Sequence, residues 1–345
     1  MNKSQSFASL ENYIKKSLSI LFLTIFLPLF SIASVVFLVK MATYTAVIKL
    51  TLLEMGKLFF FMLPELLFYT LPISFFVAAT LTLFKLSNDN EIVVLFSLGI
   101  RPKLILKIFS KPAFFLSVVL LFDFFILFPH AKVLSGNFLS YKKSEAKFNL
   151  SASEFGHKFG EWLLYIGKDN QNETYSDVIL FNKKQDEEVL IGAKKAEIIN
   201  DSGILRLKLS SGEGYSYSKE KFTQIDFKVM YINDTMKTDL NKYETPLEYW
   251  IPNTPSTKKK KKFITNTLLT LFPILSLFLI ASIGIVHVRH QKGKVYLFLF
   301  LSITLYYALA ITLQLAISWY AIPALIIGWL ITTYIIYKKT IVAKF

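Results

Sequence analysis

The sequence predicts a polytopic α-helical membrane protein: six transmembrane helices with an extracytoplasmic β-jelly-roll domain inserted between the third and the fourth. Three observations lead there. Of 345 residues, 53% are hydrophobic, 16% aromatic and only 18% charged, more apolar surface than a soluble domain of this size can hide. The apolar residues gather into runs long enough to cross a bilayer, three before and three after a polar stretch. That stretch, about 130 residues from Ala131 to Lys262, alternates apolar and polar side chains as strands do.

Spans are expected at about 17–39, 58–84, 103–129, 263–286, 295–317 and 320–337, each near the roughly 20 residues that cover about 30 Å of hydrocarbon. The first, Ser17 to Val39, is 23 residues without a charge. It is longer than a signal-peptide core and no small-residue cleavage site follows it, so it reads as a retained helix. The second contains Pro64, Glu65 and Pro72, and the third contains Asp123. A carboxylate facing lipid costs a few kcal/mol. Glu65 lies about two turns inside its span, so it either snorkels or pairs near the surface. With no second acid or histidine close by in sequence, a structural role outweighs proton coupling.

In the insert, Leu205, Leu207 and Leu209 alternate with Arg206 and Lys208, and Ile225, Phe227, Val229 and Tyr231 alternate around Asp226 and Lys228. "EWLLYIGK" and "SDVILFNKK" add two more strand-like runs bounded by Gly, Asn and Asp. Short strands separated by turn signals favour a sandwich or jelly roll. The expected organisation is 1–130 for spans one to three, 131–262 for the β domain and 263–345 for spans four to six.

The net charge of +15 lies largely beside apolar segments, which points to anionic lipid rather than nucleic acid. Basic residues in short loops set orientation. The side of the termini carries Lys3, Lys15, Lys16, Lys85, Arg101, Lys103, Lys107, Arg289, Lys292, Lys294, Lys338, Lys339 and Lys344, thirteen in all. The other side has nine: Lys40, Lys49, Lys57, Lys132 and the run Lys258 to Lys262. The majority puts the termini and residues 85–103 in the cytoplasm and the β domain outside. The five-lysine run counts against this, but it ends a long translocated domain, where the rule is weak.

The absence of cysteine excludes disulfides, thiol catalysis and Cys-ligated metal. There is no G-x-x-x-x-G-K-[ST] phosphate loop, no H-E-x-x-H and no G-x-S-x-G. His130, His157, His287 and His290 lack metal-ligand spacing. No cofactor is expected.

"NDNEIVVLFSLGIRP", residues 88–102, is a connection that reads as a helix at about 88–99. Asn88 can cap it with Glu91 three residues on, Gly99 fits the left-handed position at its end, and Pro102 blocks continuation. Glu91, Ile92, Leu95, Phe96 and Gly99 form the candidate coupling site. Either the helix lies on the membrane surface, or it docks in a partner's groove with Glu91 facing a basic residue there. Lys40, at the outer end of the first span, is either a headgroup anchor or part of a basic rim for lipid phosphates.

"PELLFYTLPISFF", Pro64 to Phe76, followed by "KLSNDNEIVVLFSLGI", Lys85 to Ile100, resembles the LptF/LptG (YjgP/YjgQ-type) permease family of lipopolysaccharide exporters. The resemblance covers essentially the whole chain. "RHQKGKVYLFLF", "EWLLYI" and "FTQIDF" are more similar to LptF than to LptG. It implies a non-catalytic inner-membrane subunit of an ABC-type exporter. The implied partners are a cytoplasmic LptB-like ATPase dimer, a paralogous LptG-like six-span permease, a single-span LptC-like bridge protein and lipopolysaccharide itself. Glu91 would then meet the ATPase, Lys40 would face lipid A phosphates, and the inward faces of the strands would take acyl chains. Asp123 and Lys258–Lys262 have no counterpart in the family pattern.

Two other readings compete. FtsX- or MacB-type mechanotransmission permeases place the large external domain after the first span, whereas here it follows the third. A membrane-anchored cell-envelope enzyme or an adhesion protein would work through the β domain. The first lacks catalytic motifs, and the second has no use for a docking helix.

Overall fold

The computed structural model describes residues 3–45, 50–147, 157–159, 162–169, 174–184, 187–201, 204–218, 221–233, 245–251, 256–286 and 294–343. The chain divides into two compact units. Met1–Met41, Leu53–Ser135 and Lys242–Phe345 form the first, and Ala42–Leu52 with Gly136–Asn241 the second.

The first unit is helical. Helix α1 (Lys3–Thr45) and α2 (Leu52–Asn88) precede the short α3 (Glu91–Ser97). Helix α4 (Pro102–Phe122) runs through a π-helical turn, Asp123–Leu127, into α5 (Phe128–Lys147). The helix of the third span therefore runs on past residue 129, and residues 131–147, expected in the β insert, continue it. After the sheet come α6 (Pro246–Trp250), α7 (Thr257–Leu275), α8 (Leu277–Gly284), α9 (Val295–Ile317) and α10 (Ala321–Tyr337).

Among the described residues, four helical stretches are long and apolar enough to cross a membrane: Ser9–Thr43, Leu52–Asn88, Pro102–Ser140 and Val295–Val342. A fifth is the pair α7 and α8, bent by 48°. Ser276, three residues after Pro273, leaves the helical region at φ −92° and ψ 2°, and the chain turns there from α7 into α8. The 48-residue stretch would be about 70 Å long if straight, more than twice the hydrocarbon thickness. It folds back at Ser318, where φ is 51°, and brings the rings of Tyr306 and Trp329 within 4.9 Å. Counted as two passes, this hairpin brings the total to the expected six.

Aromatic side chains knit these helices together. Phe272 of α7 lies 5.1 Å from Phe76 of α2 and 4.6 Å from Tyr306 of α9. The buried Tyr306 hydroxyl donates to the Leu268 carbonyl at 2.6 Å, so its one polar atom is satisfied in an apolar surround. At the π turn, the Trp250 indole N–H donates to the Phe125 carbonyl at 3.3 Å, and its ring lies 5.3 Å from Phe124. Trp250 is delivered by α6, whose Thr245 and Glu248 form a complete capping box. Bonds from the Thr245 backbone and side chain hold the Glu248 carboxyl below its ordinary range.

The second unit holds a six-stranded antiparallel sheet: β1 (His157–Phe159), β2 (Trp162–Asp169), β3 (Thr174–Lys184), β4 (Glu187–Asp201), β5 (Ile204–Ser218) and β6 (Phe222–Asn233). The inserted β domain is thus present. Its order among the described residues is β1-β2-β3-β4-β5-β6, an up-and-down meander without the crossed connection that distinguishes a jelly roll. The alternation expected in β5 holds, with Leu207 and Leu209 buried. In β6, however, Ile225, Val229 and Tyr231 are exposed and Ile232 is buried.

The cause is a row across the sheet where the register skips Asp177, Lys194, Ser211 and Lys228. Asp177 and Ser211 take left-handed φ values of 56° and 55° there. On one side of the row Val178, Leu180, Ile191 and Ala193 point inward; on the other Tyr175, Ala196, Leu207 and Leu209 do. The inward set changes parity at the row, so a strict two-residue period fails.

Candidate coupling helix and basic cluster

Helix α3 is shorter than its sequence suggests and begins differently. Asn88 is the last residue of α2, and Asn90, at φ 61°, occupies the cap position without a side-chain hydrogen bond. The capping pair of Asn88 and Glu91 therefore does not form. The physical reason is that α2 is held helical to its end: Ser87 Oγ donates to the Gly284 carbonyl at 3.1 Å and accepts from Val286 N–H at 3.3 Å. The turn must then be made in Asp89 and Asn90, and Asn tolerates the left-handed region.

The C-terminal end matches expectation. Gly99 has φ 82°, its N–H bonds the Phe96 carbonyl at 2.9 Å, and Ile100 N–H bonds the Leu95 carbonyl at 3.1 Å. That is a Schellman end, with Leu95 and Ile100 in the positions that carry its hydrophobic contact.

Of the five candidate coupling residues, Ile92 is 1% exposed and packs inward, while Leu95 and Phe96 are half-buried. The apolar face left open is Val93, Val94 and Leu98, at 41%, 55% and 73% exposure. Ile92 thus supports the helix and its neighbours present it.

Glu91 is half-buried and already engaged: the Tyr13 hydroxyl of α1 donates to its Oε1 at 2.9 Å. Two residues earlier, Glu11 accepts from Lys15 and Lys111, each at 2.7 Å, which ties the same end of α1 to α4. Sequence reading missed both Tyr13 and Glu11. Their only signal was a pair of polar residues four and six positions before the uncharged run.

Lys40 lies elsewhere. Twenty-seven residues of continuous helix separate it from Tyr13 on α1, about 40 Å at the helical rise. It is exposed, and its charge and that of Lys132 act on the Lys262 ammonium. Lys262 pairs with Glu65 at 3.3 Å and sits 4.0 Å from the centre of the Phe128 ring. Lys259 covers Tyr249 at 4.4 Å and Lys260 covers Trp319 at 5.7 Å. The five-lysine run therefore forms the first turns of α7, with Lys259, Lys260 and Lys262 over aromatic rings. Glu65 finds its partner within the chain, 197 residues away. Asp123 is buried in the π turn, and its Oδ2 has no hydrogen-bond partner among the described residues.

The bundle thus carries the short acid-bearing helix α3 at one end and a lysine cluster about 40 Å away at the other. Residues 12–337 match the family described as lipopolysaccharide export system permease LptF/LptG. The chain belongs to that family. No curated protein matches it significantly. As an LptF/LptG member it is a multi-pass lipopolysaccharide-export permease, from a family of non-catalytic permease components. The loop "RHQKGK", whose expected likeness is to LptF, falls mostly in residues 287–293 and, with His287 and His290, lies outside the described residues.

Proposed function

We propose that this permease is the membrane half of an ATP-driven exporter in the bacterial inner membrane, with its termini and α3 in the cytoplasm and the sheet in the periplasm. The observation that carries this reading is α3 itself. It is a separate two-turn helix between two spans, closed by a Schellman end and leaving Val93, Val94 and Leu98 open beside Glu91. An apolar patch next to a carboxylate suits a groove with a basic residue at its rim, as an LptB-like ATPase would offer. In this arrangement Val93 and Val94 insert, Glu91 pairs, Leu98 stays on the side of the helix that faces α1 and α4, and Ile92, Leu95, Phe96 and Gly99 hold the helix in shape.

At the far end Lys40, Lys132 and Lys262 form a basic rim suited to the phosphates of lipopolysaccharide. The most apolar 18-residue stretch of α1 has no buried residue, and α9 exposes Leu297, Phe300, Leu301 and Leu305. These faces support a second six-span permease enclosing a cavity with this one, and a single-span bridge protein beside it. LptF is favoured over LptG by the residues Arg289 to Phe300 and the β-domain runs.

Copurification tests the reading. The full chain is expected to bring down an ATPase, a second permease and a single-span partner, and Glu91→Lys is expected to insert normally while losing the ATPase. Normal ATPase retention and lipopolysaccharide export by that variant would remove the docking role.

A further inference from the structure

We infer that a cavity beside α3 binds an anionic phospholipid of the leaflet on that side of the membrane. The cavity, about 1020 Å³, lies between the start of α1, the end of α3 and the first turn of α4. Leu10, Leu95, Leu98, Ile100 and Leu104 make its walls, and Arg101 and Lys103 stand over it. An apolar hollow with two cations on its lining has the shape and polarity of a site for an acyl chain and its phosphate.

Charge complementarity singles out an anionic headgroup. The acids nearby are engaged: Glu11 by Lys15 and Lys111, Glu91 by Tyr13. Asp89 is the further carboxylate at this end, and it acts on the Tyr13 hydroxyl. Arg101 and Lys103, both exposed, have no carboxylate partner among the described residues. Arg101 and Lys103 also stand at the end of α4 where Lys107 and Lys111 precede its uncharged run 112–122, so they lie at the polar end of that apolar segment. Cations at that depth meet headgroups, while the leucines below them meet chains.

A second groove adds an independent observation. It is about 540 Å³, lies on another face of α4 against α7, α8 and α10, and shares Lys103 with the first. Lys107 and Ser110 sit in it beside Leu106, Phe278 and Tyr334. Two apolar furrows meeting at one ammonium suit a two-chained lipid. Because Leu95, Leu98 and Gly99 line the first furrow, the lipid would support α3 from the membrane side.

The test uses the full chain, purified in detergent and delipidated, and followed by native mass spectrometry. Phosphatidylglycerol and phosphatidylethanolamine of matched chains are titrated in parallel. Retention of phosphatidylglycerol is expected to be about thirtyfold stronger, the order that two lysine- or arginine-type contacts provide. Arg101→Gln with Lys103→Gln is expected to remove that preference, whereas Lys338→Gln with Lys339→Gln keeps it. A thermal midpoint near the unsubstituted protein's shows that the variants fold. Equal retention of both lipids, or an unchanged preference in the Arg101/Lys103 variant, overturns the inference. Competition by glycerol 3-phosphate at equal concentration would make the site one for a soluble anion. Loss of bound lipid when a copurified ATPase is added would make it a protein contact, and either result also overturns it.

Discussion

Removing one oxygen from Tyr13 tests whether Glu91 is positioned from within the chain. Tyr13→Phe keeps the ring and deletes only the donor to Glu91 Oε1, a bond of 2.9 Å. A hydrogen bond to a charged acceptor contributes about 1.5–3 kcal/mol when shielded. Tyr13 is 51% exposed, so solvent competition lowers this to about 0.5–1.5 kcal/mol. If the ATPase cation takes the other carboxylate oxygen, the lost orientation weakens ATPase binding by about two- to tenfold. The assay is ATPase affinity for the permease complex in nanodiscs, measured as a double-mutant cycle with Glu91→Ala. Tyr13→Phe should have no further effect once Glu91 is gone, giving a coupling energy of about 0.5–1.5 kcal/mol. Additive effects would place Tyr13 outside the Glu91 contact. Tighter binding by Tyr13→Phe would mean that the hydroxyl competes with the partner, and would refute the positioning role outright.

The two glycines that frame this region should fail for opposite reasons. Gly99→Ala has open space for its methyl group but keeps φ at 82°, so it should cost about 1–2 kcal/mol of local backbone energy, read as lost ATPase binding with little change in thermal midpoint. Gly284→Ala would put Cβ 2.6 Å from Leu83 Cβ and 2.7 Å from the Thr80 carbonyl, so about 1–3 kcal/mol of overpacking should lower the thermal midpoint of the whole bundle. Orientation has a direct check, because the chain contains no cysteine. A membrane-impermeant maleimide should label Lys221→Cys from outside and Asp89→Cys only after permeabilisation, and the reverse pattern would invert the proposed topology.

The spans were legible because hydrocarbon thickness imposes a length and a composition that no packing detail can override. Gly99 was legible for a similar reason: a left-handed residue after a short apolar stripe has few chemical solutions. Asn88 misled, since it and Asn90 are equally good turn formers and the choice was made by Ser87 bonding to Gly284, 197 residues downstream. Glu65 and Lys262 are the same distance apart in sequence, and nothing local to either names the other. Polarity showed that each needed a partner, but only the fold supplies it. The sheet failed at a finer level: Asp177 and Ser211 adopt conformations that their side chains do not advertise, and those two residues invert which side chains face inward.

The linkages around α3 bear on how a motion there would spread under the proposed function. Two residues, Asp89 and Asn90, join α3 to α2, and its Schellman end leads through Ile100 and Arg101 into α4. Tyr13 joins it to α1, and Glu11 joins α1 to α4 through Lys111. A partner pulling on α3 therefore acts on three spans at once, and Ser87 passes part of that load to the end of α8. Two of those spans reach the lysine cluster: α1 carries Lys40, and α2 carries Glu65, bound to Lys262 of α7. Phe37 of α1 and Phe59 of α2, 6.1 Å apart, are a further contact between these helices toward that end. Between the two ends, no residue of the most apolar stretch of α1 is buried. A helix held at both ends and touching the core along its middle only through the half-buried Leu21, Phe22 and Ile25 can tilt with little loss of core packing, which is the mechanical property a wall of an opening and closing cavity requires.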